Sequence, residues 1–276
     1  MAIWQGVEIV IRDITLGQFY PSKSVIHELD PRTKIILTFV FIIQLFVVRG
    51  FLGFAISAIP LFLMIGLSKV PLRFILRGMK PIIFILIFTF LLNMFMYPGE
   101  IIFKLGFLEL TKEGIYKAFF MAIRLLMLII GSSLLTFTTT PIKLTDGIEA
   151  IIHPTKKIGV PTHEIAMMMS IALRFIPTLI DETDKIMKAQ QARGADFESG
   201  NILQRGKALI PILVPLFVSA FQIAQDLAMA MEARCYRGGE GRTRLHAMVY
   251  EKKDYIAFAL AAAFFAMVVA ENILTK

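Results

Sequence analysis

Two stretches of this chain end alike: Ala189-Gln190-Gln191-Ala192-Arg193-Gly194 and Ala230-Met231-Glu232-Ala233-Arg234-Cys235. The shared pattern is Ala-x-x-Ala-Arg followed by a small residue. On a helix it leaves one face with little bulk, so that a partner surface can approach closely. It also offers a single guanidinium, whose planar fork of donors matches a carboxylate. An arginine at a helix C-terminus also complements the helix dipole, for about 0.3 to 1 kcal/mol. That suffices for one arginine, whereas a matched pair at the ends of two neighbouring long helices points to docking.

No other constellation suits catalysis. The four histidines, His27, His153, His163 and His246, have neither a cysteine partner nor the i, i+3 or i+4 spacing of a helical metal site, so no metal is expected. A Gly-x-x-x-x-Gly-Lys-Ser/Thr loop does not occur, so any ATP hydrolysis must fall to another chain. Gly238-Gly239-Glu240-Gly241 reads as a helix stop and link, not as a phosphate cradle. The lone cysteine, Cys235, cannot form an internal disulfide, and its basic, polar neighbourhood suits a reducing compartment. No catalytic residue and no cofactor are therefore expected.

The elements that must carry the two arginines follow from the composition. Hydrophobic residues make up 57% of the chain and charged residues only 18%, with 24 Phe and 15 Met, and the apolar residues come in unbroken runs. A soluble domain is nearer a quarter charged, so lipid must cover much of this surface. The basic residues, net +8, flank the apolar runs and are not interleaved with exposed aromatics, which argues against nucleic acid. The first 30 residues include Glu8, Arg12, Asp13, Lys23, Glu28 and Asp30 and lack an apolar core, so no cleavable signal peptide is expected.

Asp30-Pro31 supplies an N-cap and first helical residue, and Ile35 to Val48 follows as the first span. Phe51 to Leu67, Pro81 to Tyr97, Ala118 to Phe137 and Tyr255 to Ala270 read as the others, about five in all. Arg12, Lys23, Arg32 and Lys34 precede the first span, and Arg49 alone follows it. Lys69, Arg73, Arg77 and Lys80 separate the second and third, while around 98–117 Lys104, Lys112 and Lys117 are partly offset by three glutamates. Residues 139–253 hold fifteen of the 29 basic residues. The alternation places the N-terminus in the cytoplasm and the C-terminus outside, with five spans. Arg124, about two turns into the fourth span, is expected to snorkel to the outer interface.

The expected organisation is a cytoplasmic segment 1–33, four spans in 34–138, coupling helices in 139–253 and a last span with a short external tail in 254–276. Within 139–253, residues 163–180 contain Glu164, Arg174 and Pro177, and 208–227 contain Pro211, Pro215, Gln222, Gln225 and Asp226. A central arginine costs a span about 2.5 to 3.5 kcal/mol. Long amphipathic helices at the membrane surface are expected instead, one from Glu164 to Arg193 stopped by Gly194, the other from about Lys207 to Arg234 stopped by Gly238-Gly239. Each begins apolar and ends polar, so the polar ends are expected to project together away from the membrane.

At these residues the sequence resembles the transmembrane T component of energy-coupling factor transporters, an uptake branch of the ATP-binding-cassette systems. The resemblance covers nearly the whole chain. It includes Leu16-Gly17-Gln18-Phe19-Tyr20, Ser24-Val25-Ile26-His27-Glu28-Leu29-Asp30-Pro31-Arg32-Thr33-Lys34, Arg174-Phe175-Ile176-Pro177, Ala192-Arg193-Gly194 and Ala233-Arg234-Cys235. The second Ala-Arg-small signature departs from the family pattern by ending in Cys. The resemblance implies an all-α polytopic scaffold in a prokaryotic cell membrane, without catalysis. Arg193 and Arg234 would dock on two ATPase subunits, and motion would pass to a separate substrate-binding membrane subunit, the S component, for a vitamin or metal micronutrient. A self-contained channel or secondary transporter, the alternative, predicts paired intramembrane charges or an inverted repeat of broken helices, and neither is found.

Overall fold

The computed structural model describes residues 19–105, 108–195, 197, 206–238 and 248–274. Leu16, Gly17 and Gln18 of the first family segment, the Gly239-Glu240-Gly241 link and His246 lie outside the described residues. The chain divides into two compact units, one of Gly17–Ile151 with Ala247–Lys276, the other within Ile152–His246.

In the first unit a single turn, α1 (Val25–Glu28), leads into α2 (Pro31–Val47), α3 (Phe51–Ser68) and α4 (Leu72–Met96). A two-stranded antiparallel hairpin follows, β1 (Ile101–Leu105) against β2 (Leu108–Thr111), then α5 (Lys112–Thr138), α6 (Pro141–Ile152) and the last helix, Lys252–Leu274. Local chemistry sets the helix starts. The Asp30 side chain accepts from Arg32 N–H with Pro31 in the first turn, and Thr111 Oγ1 accepts from Gly114 N–H at 3.0 Å. The core is a seam of Leu45, Phe54, Leu61, Met127, Leu134 and Phe137. Inside it Gln44 Nε2 donates to Ser57 Oγ at 2.9 Å, a polar tie between α2 and α3 of the kind that holds helices together in lipid. Outward, Phe62 is 69% exposed and Phe84 78%, surface that only lipid or a membrane partner can cover.

One expectation needs correction here. The third span does not begin at Pro81. Its helix runs back to Leu72 and bends by 64° between Leu72–Lys80 and Ile82–Met96, because proline lacks the N–H that would bond one turn back. Arg124 makes a defined contact near the end of α2, the end that the expected topology places outside. Its Nη2 donates to the Val48 carbonyl at 2.9 Å and its guanidinium lies 4.8 Å from the Phe120 ring centre, so it satisfies an open carbonyl at the end of α2.

The second unit holds a short 3-10 turn, His153–Ile158, then α7 (Thr162–Ala192) and α8 (Ile210–Ala233). Pro177 sits inside α7 without breaking it. Gln190 Nε2 near the end of α7 donates to the carbonyl of Pro211 at the start of α8, 3.3 Å away, while Met167 near the start of α7 shares a cavity with Met231 and Arg234 at the end of α8. The two helices are therefore antiparallel. This overturns the expected common projection of their polar ends, since the polar end of each lies beside the apolar start of the other. Periodicity along each helix carried no information about their mutual direction.

Among the described residues, five helices could cross a membrane by length and apolar composition: Phe51–Ser68, Lys112–Thr138, Thr162–Ala192, Gly206–Ala233 and Lys252–Leu274, with bent α4 as a sixth. The chain is all-α and polytopic, as expected, although this set is not the one expected from the sequence. It admits α7 and α8 and omits α2, whose 17 residues reach only about 25 Å against a hydrocarbon core of about 30 Å.

Candidate functional site

The two Ala-Arg signatures fold into the same turn. Arg193 caps α7 and Arg234 caps α8, both outside regular helical geometry. The next residue takes a left-handed backbone, φ +88 at Gly194 and φ +56 at Cys235. Two hydrogen bonds then close each end. Gly194 N–H donates to Gln191 O at 2.9 Å and Ala195 N–H to Gln190 O at 3.0 Å; Cys235 N–H donates to Glu232 O at 2.8 Å and Tyr236 N–H to Met231 O at 3.0 Å. This is the helix-ending motif that satisfies the last carbonyls, and its left-handed position favours glycine. The small third residue of the signature is thus a backbone requirement. A cysteine is tolerated there but costs about 1 to 2 kcal/mol relative to an unstrained conformation. Gly238, the expected stop, follows a helix already ended at Cys235.

Arg193 and Arg234 are both exposed, as are Ala192 and Ala233 before them. Among the described residues neither guanidinium takes part in a hydrogen bond or an ion pair. Because the helices are antiparallel, the arginines stand at opposite ends of the pair, roughly 35 to 45 Å apart at 1.5 Å per residue. Little of either helix is covered within the unit. Phe217 is 63% exposed and Phe221 72%, and together with Ile210, Leu213, Val214 and Val218 they form an apolar stripe at helical spacing. The arrangement presents two cations and an apolar face.

The family segment from Ser24 to Lys34 has a different role. His27 Nε2–H donates to Tyr20 O at 3.0 Å, and the Ser24 hydroxyl donates to Nδ1 at 2.7 Å. Desolvation holds this imidazole below its ordinary pKa of 6.5. Lys34 Nζ, buried, donates to His27 O at 3.1 Å and to Thr138 O at the end of α5 at 2.9 Å. Arg32 grips Asp30 with Nε at 3.0 Å and Nη2 at 2.8 Å, reaches Met248 O at 3.0 Å, and lies 4.0 Å from the Tyr250 ring centre. Asp254, 2% exposed, accepts from Asp30 N–H at 3.0 Å and from Glu251 N–H at 2.9 Å. The result is a polar knot tying the start of α2 to the end of α5 and to α9 (Lys252–Leu274). Sequence reasoning missed Asp254 and Tyr250, whose partners lie more than 200 positions away. Arg237 follows Cys235, the last residue of the second signature, by two positions.

A family described as Cobalt transport protein, CbiQ, matches residues 22–245. Three relatives carry the name energy-coupling factor transporter transmembrane protein EcfT. That of Thermosediminibacter oceani is 56% identical over 248 residues, 90% of this chain and 94% of the relative. The Clostridium kluyveri protein is 56% identical over 250 residues, 90% and 93% of the two chains, and that of Bacillus subtilis 50% over 240 residues, 87% and 91%. Matched over nearly its whole length, with its paired Ala-Arg helix ends and apolar helices, the chain belongs to the CbiQ family and is similar throughout to the transmembrane components of energy-coupling factor transporters.

Proposed function

We propose that the chain is the scaffold through which two ATP-binding-cassette ATPase subunits drive a separate, small substrate-binding membrane subunit, with specificity for a vitamin or metal micronutrient residing in that subunit. The observation carrying this reading is the pair of unengaged arginines at opposite ends of one antiparallel helix pair. Each follows two small alanines and is held by the same closing turn, so Arg193 and Arg234 each meet a carboxylate in a groove on one ATPase. The uncovered stripe from Ile210 to Phe221 is the face that takes the substrate-binding subunit. ATP is hydrolysed by the partners, and this chain transmits the motion.

In this reading α7 and α8 lie on the cytoplasmic side and α2, α3, α4, α5 and α9 cross the membrane, with the N-terminus inside. The charge distribution favours it: Arg174 falls mid-helix in α7, where a span would bear the full cost of a buried cation. Two measurements test the proposal. The purified chain alone should show no ATP turnover, and affinity capture of it from cells should retain both ATPases and a small apolar subunit. A cysteine placed at Gly200, which lies outside the described residues, should stay unlabelled by an impermeant reagent applied to intact cells. Turnover by the chain alone, or labelling at that position, contradicts the assignment.

A further inference from the structure

The two ends of the helix pair share a turn but not a charge. After Arg193-Gly194 the chain continues Ala195-Asp196, and after Arg234-Cys235 it continues Tyr236-Arg237. One end therefore carries a guanidinium and a carboxylate, the other two guanidiniums. At the second end the left-handed Cys235 and the bond from Tyr236 N–H to Met231 O fold residues 236–238 back beside the last helical turn. They line a concavity of about 490 Å³ together with Arg234 and with Met167 and Met231 from the two helices. Arg237 is exposed and, among the described residues, takes part in no hydrogen bond or ion pair. The nearby carboxylate of Glu232 starts about 200° around the helix from Arg234, at 100° per residue.

We propose that Arg237 is a second docking cation, so that the Arg234 end selects an ATPase surface presenting two carboxylates around an apolar side chain, while the Arg193 end accepts a less acidic one. The proposal rests on the docking reading above. Two arginines and two methionines lining one hollow favour an acidic pair beside an apolar knob, because the sulfur-containing chains adapt to the knob while the guanidiniums pair with the carboxylates. The Arg193 end, whose sequence continues with Asp196 and not with a second arginine, suits a less acidic surface. Charge complementarity of this kind assigns each partner to its own end.

The test measures each ATPase subunit binding to the full-length chain in detergent. The variants are Arg237→Ala, Arg237→Lys, Arg237→Glu, Arg234→Glu and Arg193→Glu, at low and high salt. Arg237→Ala should weaken one of the two ATPase sites about tenfold and Arg237→Glu about a hundredfold, each leaving the other site unchanged, while Arg237→Lys, which keeps the charge but not the fork, should restore part of the loss. Parental binding by Arg237→Glu at both sites, with Arg234→Glu and Arg193→Glu impaired, overturns this proposal and leaves the docking reading standing. Parental binding by all the glutamate variants removes both. Loss of binding to vesicles rich in anionic lipid, with ATPase binding intact, also overturns the proposal, because Arg237 would then be a lipid contact. Should Arg237→Glu lower the melting temperature, Arg237→Ala and its rescue by lysine decide the matter.

Discussion

Arg32 and Arg234 are the same residue type put to opposite uses. Arg32 is bound on every side: two bonds to Asp30, one to the Met248 carbonyl, and a ring beneath it. Arg234, at an exposed helix end, has no such partner among the described residues. A guanidinium engaged by partners within its own chain holds the chain together. One left open beside small residues awaits a carboxylate from elsewhere. The polar knot and the helix pair differ in the same sense throughout. The knot closes on itself through buried Lys34, Asp30 and Asp254, and the helix pair leaves its cations and its apolar stripe uncovered.

Breaking the knot should give the largest effect on stability. Asp254→Ala leaves the N–H groups of Asp30 and Glu251 without their acceptor, at about 1 to 3 kcal/mol for each orphaned group. Unfolding of the purified chain in detergent should show a loss of about 2 to 5 kcal/mol, and Arg32→Ala a smaller loss of the same sign. Arg234→Ala in the same assay should stay within about 0.5 kcal/mol of the parent. A matching loss in Arg234→Ala would erase the contrast between the two regions.

The closing turns offer a finer comparison. Gly194→Ala should cost the α7 end about 1 kcal/mol, because alanine resists φ +88, whereas Cys235→Gly should strengthen the α8 end by up to about 1 kcal/mol. Hydrogen exchange at Ala195 and Tyr236 reads both, since these N–H groups close the turns. Faster exchange at Tyr236 in Cys235→Gly would contradict the left-handed assignment.

The smallest effect concerns pH and belongs to the knot alone. Desolvation lowers the folded pKa of His27 below 6.5, so the unfolded chain takes up this proton more readily than the folded one. The stability His27 contributes is therefore full above pH 6.5 and declines as the pH falls from there through the lowered folded value. His27→Gln should flatten that part of the pH profile of unfolding, and an unchanged slope would count against the assignment.

What the sequence made legible was local. Asp30-Pro31 marks a helix start through chemistry confined to three residues, and Ala192-Arg193-Gly194 marks an end through chemistry confined to one turn. Cys235 as the second stop was hidden because glycine at 238 is the better left-handed residue on propensity, yet the turn forms three positions earlier. Arg73, Arg77 and Lys80 made the start of α4 read as a loop, since charges interrupt an apolar run without interrupting a helix. The knot could not be read, because Asp254 meets Asp30 from 224 residues away. Nor could the antiparallel pairing, on which the separation of Arg193 from Arg234 depends.

The most direct test of that separation and its purpose is uptake into sealed vesicles containing the chain, both ATPases and a substrate-binding subunit. The double variants Arg193→Ala with Arg234→Ala, and Arg193→Glu with Arg234→Glu, are compared with the parent. Removing a charge-assisted contact from a desolvated interface costs about 2 to 5 kcal/mol at each site. Both variants should therefore lose ATPase retention and uptake while the melting temperature of the chain itself stays at the parental value, with the glutamate pair the more severe. Parental assembly and parental uptake in both double variants would contradict the account and leave the two arginines as helix-end cations.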